Sequence, residues 1–379
     1  MKIFIQHEIL KSLRESRTIP ANIIAEKLGL SLQDYEKLEL KDSKVDVGLA
    51  DKIAGVFKRN WTVFLLDKLP ETELYKRDNR TTENQTSSLH EKTIQAIEDA
   101  NYIFDFVSGL ATHKGLSVPK YEDIKGLNAE DLAALIRKRS KISFEEQKFK
   151  DYSDAFKQWR KLVEGMGVYV SQYPLSVEDK IRAFSLSDHD RAIIVLNTND
   201  TTTGRIFSLF HELCHVIRRS TGICDLHYSL SSDVEVFCNR FSAAFLVPID
   251  VVKDYVNKIG TDAVLSDVDY HSQRLASSLK VSQLVVYRRF ATLGIITDSD
   301  YSKKHNKLLG GFLKKPKVVI EKDSSGGPNY YNIKKLRNGE SYSNTVLQAM
   351  NTGEITAFEA SNALGVSVNK LSEYEIRTA

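Results

Sequence analysis

His211-Glu212-Leu213-Cys214-His215 is the stretch on which the reading of this chain turns. On a helix, residues four apart stand one above the other on the same face, so His211 and His215 can each turn a ring nitrogen toward one point. Glu212 adjoins that face with its carboxylate beside the same point. This H-E-x-x-H spacing suits a zinc ion held by the two imidazoles, with the carboxylate as proton acceptor. The flanks support the helix. Arg191-Ala-Ile-Ile-Val-Leu196 is a β-branched run that reads as a strand over 191–196, and 197–203 is polar turn and cap material. Beyond it, Ile206, Phe207, Leu209, Phe210, Leu213, Cys214, Val216 and Ile217 make the helix apolar on nearly every side, which predicts burial. The plainer alternative for His211 and His215 is a pair of hydrogen-bonded core histidines.

A catalytic zinc ion takes three protein ligands and keeps a fourth position open, so a third ligand is required. Glu235 is the first candidate. It lies near the start of a helical pattern over 233–247 that Pro248 stops, where its carboxylate can face the preceding helix. Ser232, three residues earlier, offers a competing role for Glu235 in a capping box. His227, Asp225 and Asp233 are further candidates.

The strand, the Phe207-Ser-Leu-Phe-His-Glu-Leu-Cys-His215 helix and the segment Glu235-x-x-Cys-Asn239-x-Phe241-Ser-Ala243-x-x-Leu-Val-Pro248 resemble the ImmA/IrrE family of metallopeptidases, gluzincin-like proteins found with bacterial repressors and mobile elements. Ala155-x-x-x-Trp159-Arg160, Gly165-Met-Gly-Val168, Arg182-Ala-Phe-Ser185 and Ile193-Ile-Val-Leu-Asn197 are similar to the segments leading into the active-site helix of that family. Cys214 stands where the family usually has Gly, and Ala183 replaces another common Gly. Neither change removes a ligand, although a thiol beside zinc can slow the site or make it redox-sensitive. The resemblance implies that His211, His215 and Glu235 hold zinc, with manganese as an open alternative, and that Glu212 is the general base. It also implies an endopeptidase making limited cuts in a DNA-binding repressor or antitoxin-like partner of a bacterial or mobile-element regulatory system. In that chemistry Glu212 takes a proton from water and passes it to the leaving amine. Tyr228, His227 and Arg205 are candidates for stabilising the oxyanion, and the 191–196 strand is expected to take an extended substrate segment as an added strand.

Composition sets the frame. A chain of 379 residues is too long for one small core. Its 53 Lys+Arg against 50 Asp+Glu leave a formal charge of +3, which by itself points to no nucleic-acid partner. No apolar run approaches membrane-spanning length and the start has no secretory pattern, so a cytoplasmic protein without a membrane partner is expected. Cys214, Cys224 and Cys238 form no C-x-x-C pair and read as core thiols.

Upstream, the spacing predicts helices over 6–15, 20–28, 31–40 and 48–57, with Gly29 as a stop. Residues 23–39 have helix-turn-helix spacing and look like the XRE type of repressor domain. Gln33, Asp34, Tyr35 and Lys37 would then lie on the exposed start of a recognition helix. Asp34, Glu36 and Glu39 would approach phosphates there, and a dense basic face is missing. DNA binding through this domain, DNA binding only as a homodimer, and an interaction role without DNA all stay open. Further helices are expected over 89–106, 128–136 and 144–164, with Ile94, Ile97, Tyr102, Phe104 and Phe106 in the core. Residues 273–290 form a second helix-turn-helix-like pattern, read as structural. Residues 301–322 carry a run of Lys, 324–328 form a break, and 342–374 repeat a small helical pattern.

The expected fold is α+β and mostly helical. It comprises an N-terminal helix-turn-helix domain over 1–66, a helical linker region over 67–142, a small zincin-like metallopeptidase domain over 143–300 and a helical C-terminal domain over 301–379. The competing function is a transcriptional regulator or antitoxin that binds DNA or a toxin and uses zinc for structure or sensing. A metal hydrolase acting on a non-peptide substrate satisfies the same motif.

Overall fold

The computed structural model describes residues 2–16, 20–57, 63–64, 89–142, 147–188, 190–219, 233–312 and 330–378. These residues are mostly helical, with a two-stranded and a three-stranded sheet, in keeping with an α+β composition. By internal contacts the chain divides into one unit spanning Met1–Gln95 and another spanning Ala96–Ala379.

In the first unit, β1 (Lys2–Ile5) pairs antiparallel with β2 (Ser43–Asp46), setting Ile3 opposite Val45. Helices α1 (His7–Ser16), α2 (Ala21–Leu28) and α3 (Leu32–Leu40) lie between the strands in sequence, and α4 (Val47–Val56) follows. The helices fall where their spacing predicts. The strands are an addition, each only four residues long, too short for a two-residue alternation to stand out. Gly29 ends α2 with a left-handed φ of 68°, a conformation that favours glycine. Ser31 then opens α3 by accepting a hydrogen bond from the Asp34 amide.

The expected exposure of Tyr35 is wrong. Its side chain is fully buried with Ile5, Leu10, Ile24, Ile53 and Phe57. Tyr35 and Leu38, three residues apart, form the inward side of α3, while Leu32 and Leu40 stay exposed. Gln33, Asp34 and Lys37 are exposed as expected, but Lys37 Nζ lies 2.8 Å from Asp34 Oδ1. Glu39 accepts from Arg14 Nε at 2.7 Å and so braces α3 against α1.

Helix α5 (Glu91–Ser108) runs through the boundary between the units. Its buried side is Ala96, Ile97, Ala100, Ile103 and Val107. Tyr102, expected in the core, is instead 38% exposed and stacked on Phe106. Phe104 lies under the Arg191 guanidinium, 4.2 Å from its ring centroid. The inward face follows the smaller aliphatic residues, and the aromatics flank it.

Then come α6 (Tyr121–Ile124), α7 (Ala129–Arg139) and α8 (Tyr152–Gly165). Helix α8 starts later than 144 because Asp151 is extended and caps it, accepting from the Asp154 amide; residues 143–146 lie outside the described residues. Strands β3 (Val168–Tyr173), β4 (Ala183–Ser187) and β5 (Ala192–Asn197) form a sheet in the order β3-β5-β4. β5 runs parallel to β3 and antiparallel to β4, with Ser185 opposite Ile194. All six residues of β5 are buried, as suits a central strand covered on both faces.

Helices α9 (Thr202–Arg218) and α10 (Asp233–Leu246) pack on this sheet and on α8 and α7. Trp159 of α8 meets Phe210 of α9 edge-on at 5.1 Å, and Phe210 stacks on Phe245 of α10 at 4.3 Å. Helix α7, in the stretch read as linker, joins this core, with Arg137 Nη1 donating to the Phe245 carbonyl at 2.8 Å. Helices α11 (Ile249–Ile259), α12 (Thr261–Ser266), α13 (Val268–Leu279), α14 (Gln283–Thr292) and α15 (Asp298–Phe312) follow. The helix-turn-helix-like pair α13–α14 buries Leu275, Leu279, Val286 and Phe290 in the same core. Arg288 and Arg289 of this pair have acidic partners within the fold. Arg289 is buried and pairs with Glu130, and Arg288 Nη1 lies 3.0 Å from Asp298 Oδ1.

Helices α16 (Tyr330–Asn338), α17 (Glu340–Asn351), α18 (Ala357–Leu364) and α19 (Leu371–Thr378) complete the described chain, with α16 and α17 against β3. Gly339, between α16 and α17, has a φ of 81°, and a Cβ there would lie 2.4 Å from the Val170 carbonyl oxygen. Only glycine permits so close an approach. The break over 324–328 lies outside the described residues.

Trp159 is the aromatic shared by α8, α9 and α10, so Trp159→Ala is expected to cost about 3–5 kcal/mol. The shift in chemical-denaturation midpoint of the full chain, followed by circular dichroism, checks this. A loss below about 1 kcal/mol would remove Trp159 from its central place in the packing.

Candidate metal centre

Helix α9 begins at Thr201, whose hydroxyl accepts from the Gly204 amide at 3.0 Å, and ends at Arg219 in a left-handed conformation. Every residue from Ser208 to Ile217 is buried. His211 and His215 lie on the side of α9 that meets α10, and their Nε2 atoms are 3.2 Å apart. Glu235, in the first turn of α10, faces both rings. Its Oε2 is 3.0 Å from His211 Nε2 and its Oε1 is 3.2 Å from His215 Nε2. The three ligand atoms lie within 4.8 Å of one another.

Both carboxylate oxygens of Glu235 therefore face the imidazoles. Ser232, the partner required for a capping box, lies outside the described residues, as do Asp225, His227 and Tyr228. Asp233 is exposed at the start of α10 and is not among the convergent donors. Arg205 is engaged within the fold, with Nη1 donating to Gln172 Oε1 at 2.6 Å and its guanidinium 4.9 Å from the centroid of Phe156.

Two imidazole nitrogens and a carboxylate oxygen set face to face bring lone pairs together, an arrangement that needs a proton or a cation between them. In the metal-free protein a proton serves. Burial opposes charging His215, but hydrogen bonds to Cys238 and Glu235, with the Glu212 charge nearby, push its pKa up to about 11. Burial likewise works against a charged Glu235, yet its hydrogen bonds to His211 and His215 hold its carboxyl well below the usual carboxylate range. A divalent ion is the other solution. The nitrogen and oxygen donors suit zinc, and three protein ligands leave a position open for water. The residues therefore fit the metal that their spacing predicts.

Glu212 is placed differently. Its carboxylate is buried, at 1% exposure, and accepts from Ser185 Oγ of β4 at 2.8 Å. It thus stands beside the donor cluster but is held by the sheet. Ser185 and Asn239, which lies 3.0 Å from His211 through Oδ1 and Nδ1, appear in the sequence only as members of longer segments. Their contacts join residues 27 and 28 positions apart, so no local pattern announces them. Cys214 and Cys238 are buried free thiols, as read; Cys224 lies outside the described residues.

A buried H-E-x-x-H helix with a glutamate brought to it by the next helix makes a group that could hold a metal ion. Residues 163–291 match the family model described as the IrrE N-terminal-like domain, Peptidase_M78. That span contains β3, β4, β5, α9 and α10, and the match supports the ImmA/IrrE family for this part of the chain. A comparison with curated proteins returned no match.

Metal uptake is expected at one ion per chain, weakened in His215→Ala and Glu235→Gln and measured by elemental analysis after dialysis. The sign of its pH dependence follows from His215. Because the ring holds its proton up to about pH 11, a bound ion must displace that proton at neutral pH. Affinity should rise as pH rises below that value. Calorimetric titrations in buffers of different ionisation enthalpy should show about one proton released per ion, and no release would contradict the charge state assigned to the cluster.

Proposed function

We propose that the chain is a zinc-dependent endopeptidase that makes limited cuts in a DNA-binding repressor or antitoxin-like protein. The observation that carries this reading is the convergence of His211, His215 and Glu235 beside a separately held Glu212. His211, His215 and Glu235 would hold the ion. Zinc, when bound, supplies Lewis acidity toward a peptide carbonyl and lowers the pKa of water. Glu212 takes the proton from the attacking water and delivers it to the leaving amine. Ser185 keeps its carboxylate turned toward the sheet through one oxygen, leaving the other for proton transfer.

The strand read as the platform for substrate is not available for that role. β5 is the middle strand, and its two backbone edges are taken by β3 and β4. β4 is an outer strand and carries Ser185. An extended substrate segment would add to the edge of β4 that no described strand occupies, next to Glu212, with backbone hydrogen bonds selecting a flexible loop of the target.

The second reading, a regulator with a structural or sensory metal, draws on the α2–turn–α3 arrangement capped by Gly29 and Ser31. One variant separates the two. Glu212→Gln should keep metal and fold, yet lower cleavage by about 10²- to 10⁴-fold. Cleavage is read by mass spectrometry, first on an unstructured peptide library and then on candidate repressors. A variant cutting at the parent rate, or a zinc-loaded parent that cuts no peptide and no repressor, would reject the peptidase reading.

A further inference from the structure

The two outer strands of the β3-β5-β4 sheet are not alike. All six residues of β3 are buried, as completely as those of the central β5, whereas Leu186 and Ser187 at the end of β4 are only half-buried. An outer strand presents a row of backbone N–H and C=O groups without a strand partner, a ready template for another chain, and proteins blunt such an edge by laying a helix or loop over it. The burial of β3 calls for a cover of that kind.

The C-terminal helices, which lie beyond the 163–291 match, supply it. Side chains alternate along β3, so Val168 and Val170 enter the core shared with α8 and α9 while Tyr169 and Tyr173 take the opposite face. The corner between α16 and α17 reaches both sides. Tyr342 of α17 meets Tyr169 edge-on at 6.0 Å, and the Arg337 guanidinium of α16 lies 5.7 Å from the centroid of Tyr173. On the side of α8, a Cβ at Gly339 would lie 2.9 Å from Arg160 Nη2 as well as 2.4 Å from the Val170 carbonyl oxygen. The corner thus straddles the outer edge of the strand.

These helices are joined to one another more firmly than to the sheet. Val346, Ala360, Leu364 and Leu371 are buried apart from the core around Phe210. Asn338 Nδ2 donates to the Leu364 carbonyl at 2.9 Å, and the hydroxyls of Ser343 and Tyr374 are 2.8 Å apart, all in buried surroundings. The bonds outward are longer or lie where water competes. Thr112 Oγ1 donates to the Thr345 carbonyl at 3.3 Å, Tyr169 Oη is 3.5 Å from Thr345 Oγ1, and the Ala111 amide donates to Glu354 at an exposed rim. We infer that α16–α19 form a separable cover that closes the β3 edge against strand addition by a second copy of the chain. This inference does not depend on the metal reading of the site.

The test is hydrogen exchange of the full chain, read by mass spectrometry over 168–173, 192–197 and 357–378, with sedimentation velocity for self-association. Glu354→Ala combined with Thr112→Val removes two rim bonds and touches neither β3 nor the core of the cover. This double variant is expected to speed exchange over 168–173 about tenfold, while 192–197 and 357–378 keep parent rates because the helices leave as a body. Gly339→Val, which sets a branched side chain against the Val170 carbonyl, should open β3 further and add self-association above the parent's. Should Gly339→Val fail to fold, the double variant carries both readouts. Parent-like exchange over 168–173 in the folded variants would overturn the cover. Equal acceleration of all three segments would make the helices part of one cooperative core and not a separable piece. A β3 that opens without added association would remove the guarding role.

Discussion

The contact between α9 and α10, centred on Phe210 stacked against Phe245, is the constraint on which the rest of the site depends. His211, His215 and Glu235 would not gather unaided, since drawing charged and polar groups out of water is costly. Burial of the two helices against Trp159 and the sheet holds them together. An aromatic pair of this kind adds about 1 kcal/mol beyond the area it buries. Arg137 completes the arrangement from α7, since its bond to the Phe245 carbonyl occupies an acceptor near the end of α10 that would otherwise be buried without a partner.

The site then divides its work between two supports. Holding belongs to α9 and α10, which present the convergent donors on rigid helices. Glu212, on the same helix but a neighbouring face, is answered by β4 through Ser185. A carboxylate buried to 1% exposure requires a hydrogen-bond donor, and the single hydroxyl also selects its orientation. Among the described residues β4 pairs with β5 alone, so the hydroxyl that holds Glu212 comes from an outer strand.

Several basic residues within helix-turn-helix-like patterns or the Lys run have acidic partners in their own unit. Arg289 is buried in an ion pair with Glu130, Lys304 pairs with Asp269, and Lys37 pairs with Asp34. Apolar residues spaced three and four apart around a tight turn build a helical hairpin in any context, and such spacing alone does not choose between a core and a DNA groove. In the first unit, Tyr35 of the short helix α3 lies in the core.

What the sequence by itself determined is what short-range geometry controls. The helical period placed His211 over His215, Gly29 and Ser31 marked the α2–α3 turn, and Pro248 bounded the helix that carries Glu235. These depend on neighbours within a turn or two, so the residues state them directly. Tertiary structure alone decided the order of the strands, which makes β5 central and β4 outer, and the inward side of α5, which excludes Tyr102. It also decided the contacts of Ser185 with Glu212 and of Asn239 with His211. Each of these joins residues far apart in sequence, and their proximity arises only when α9, α10 and the sheet close around one shared core.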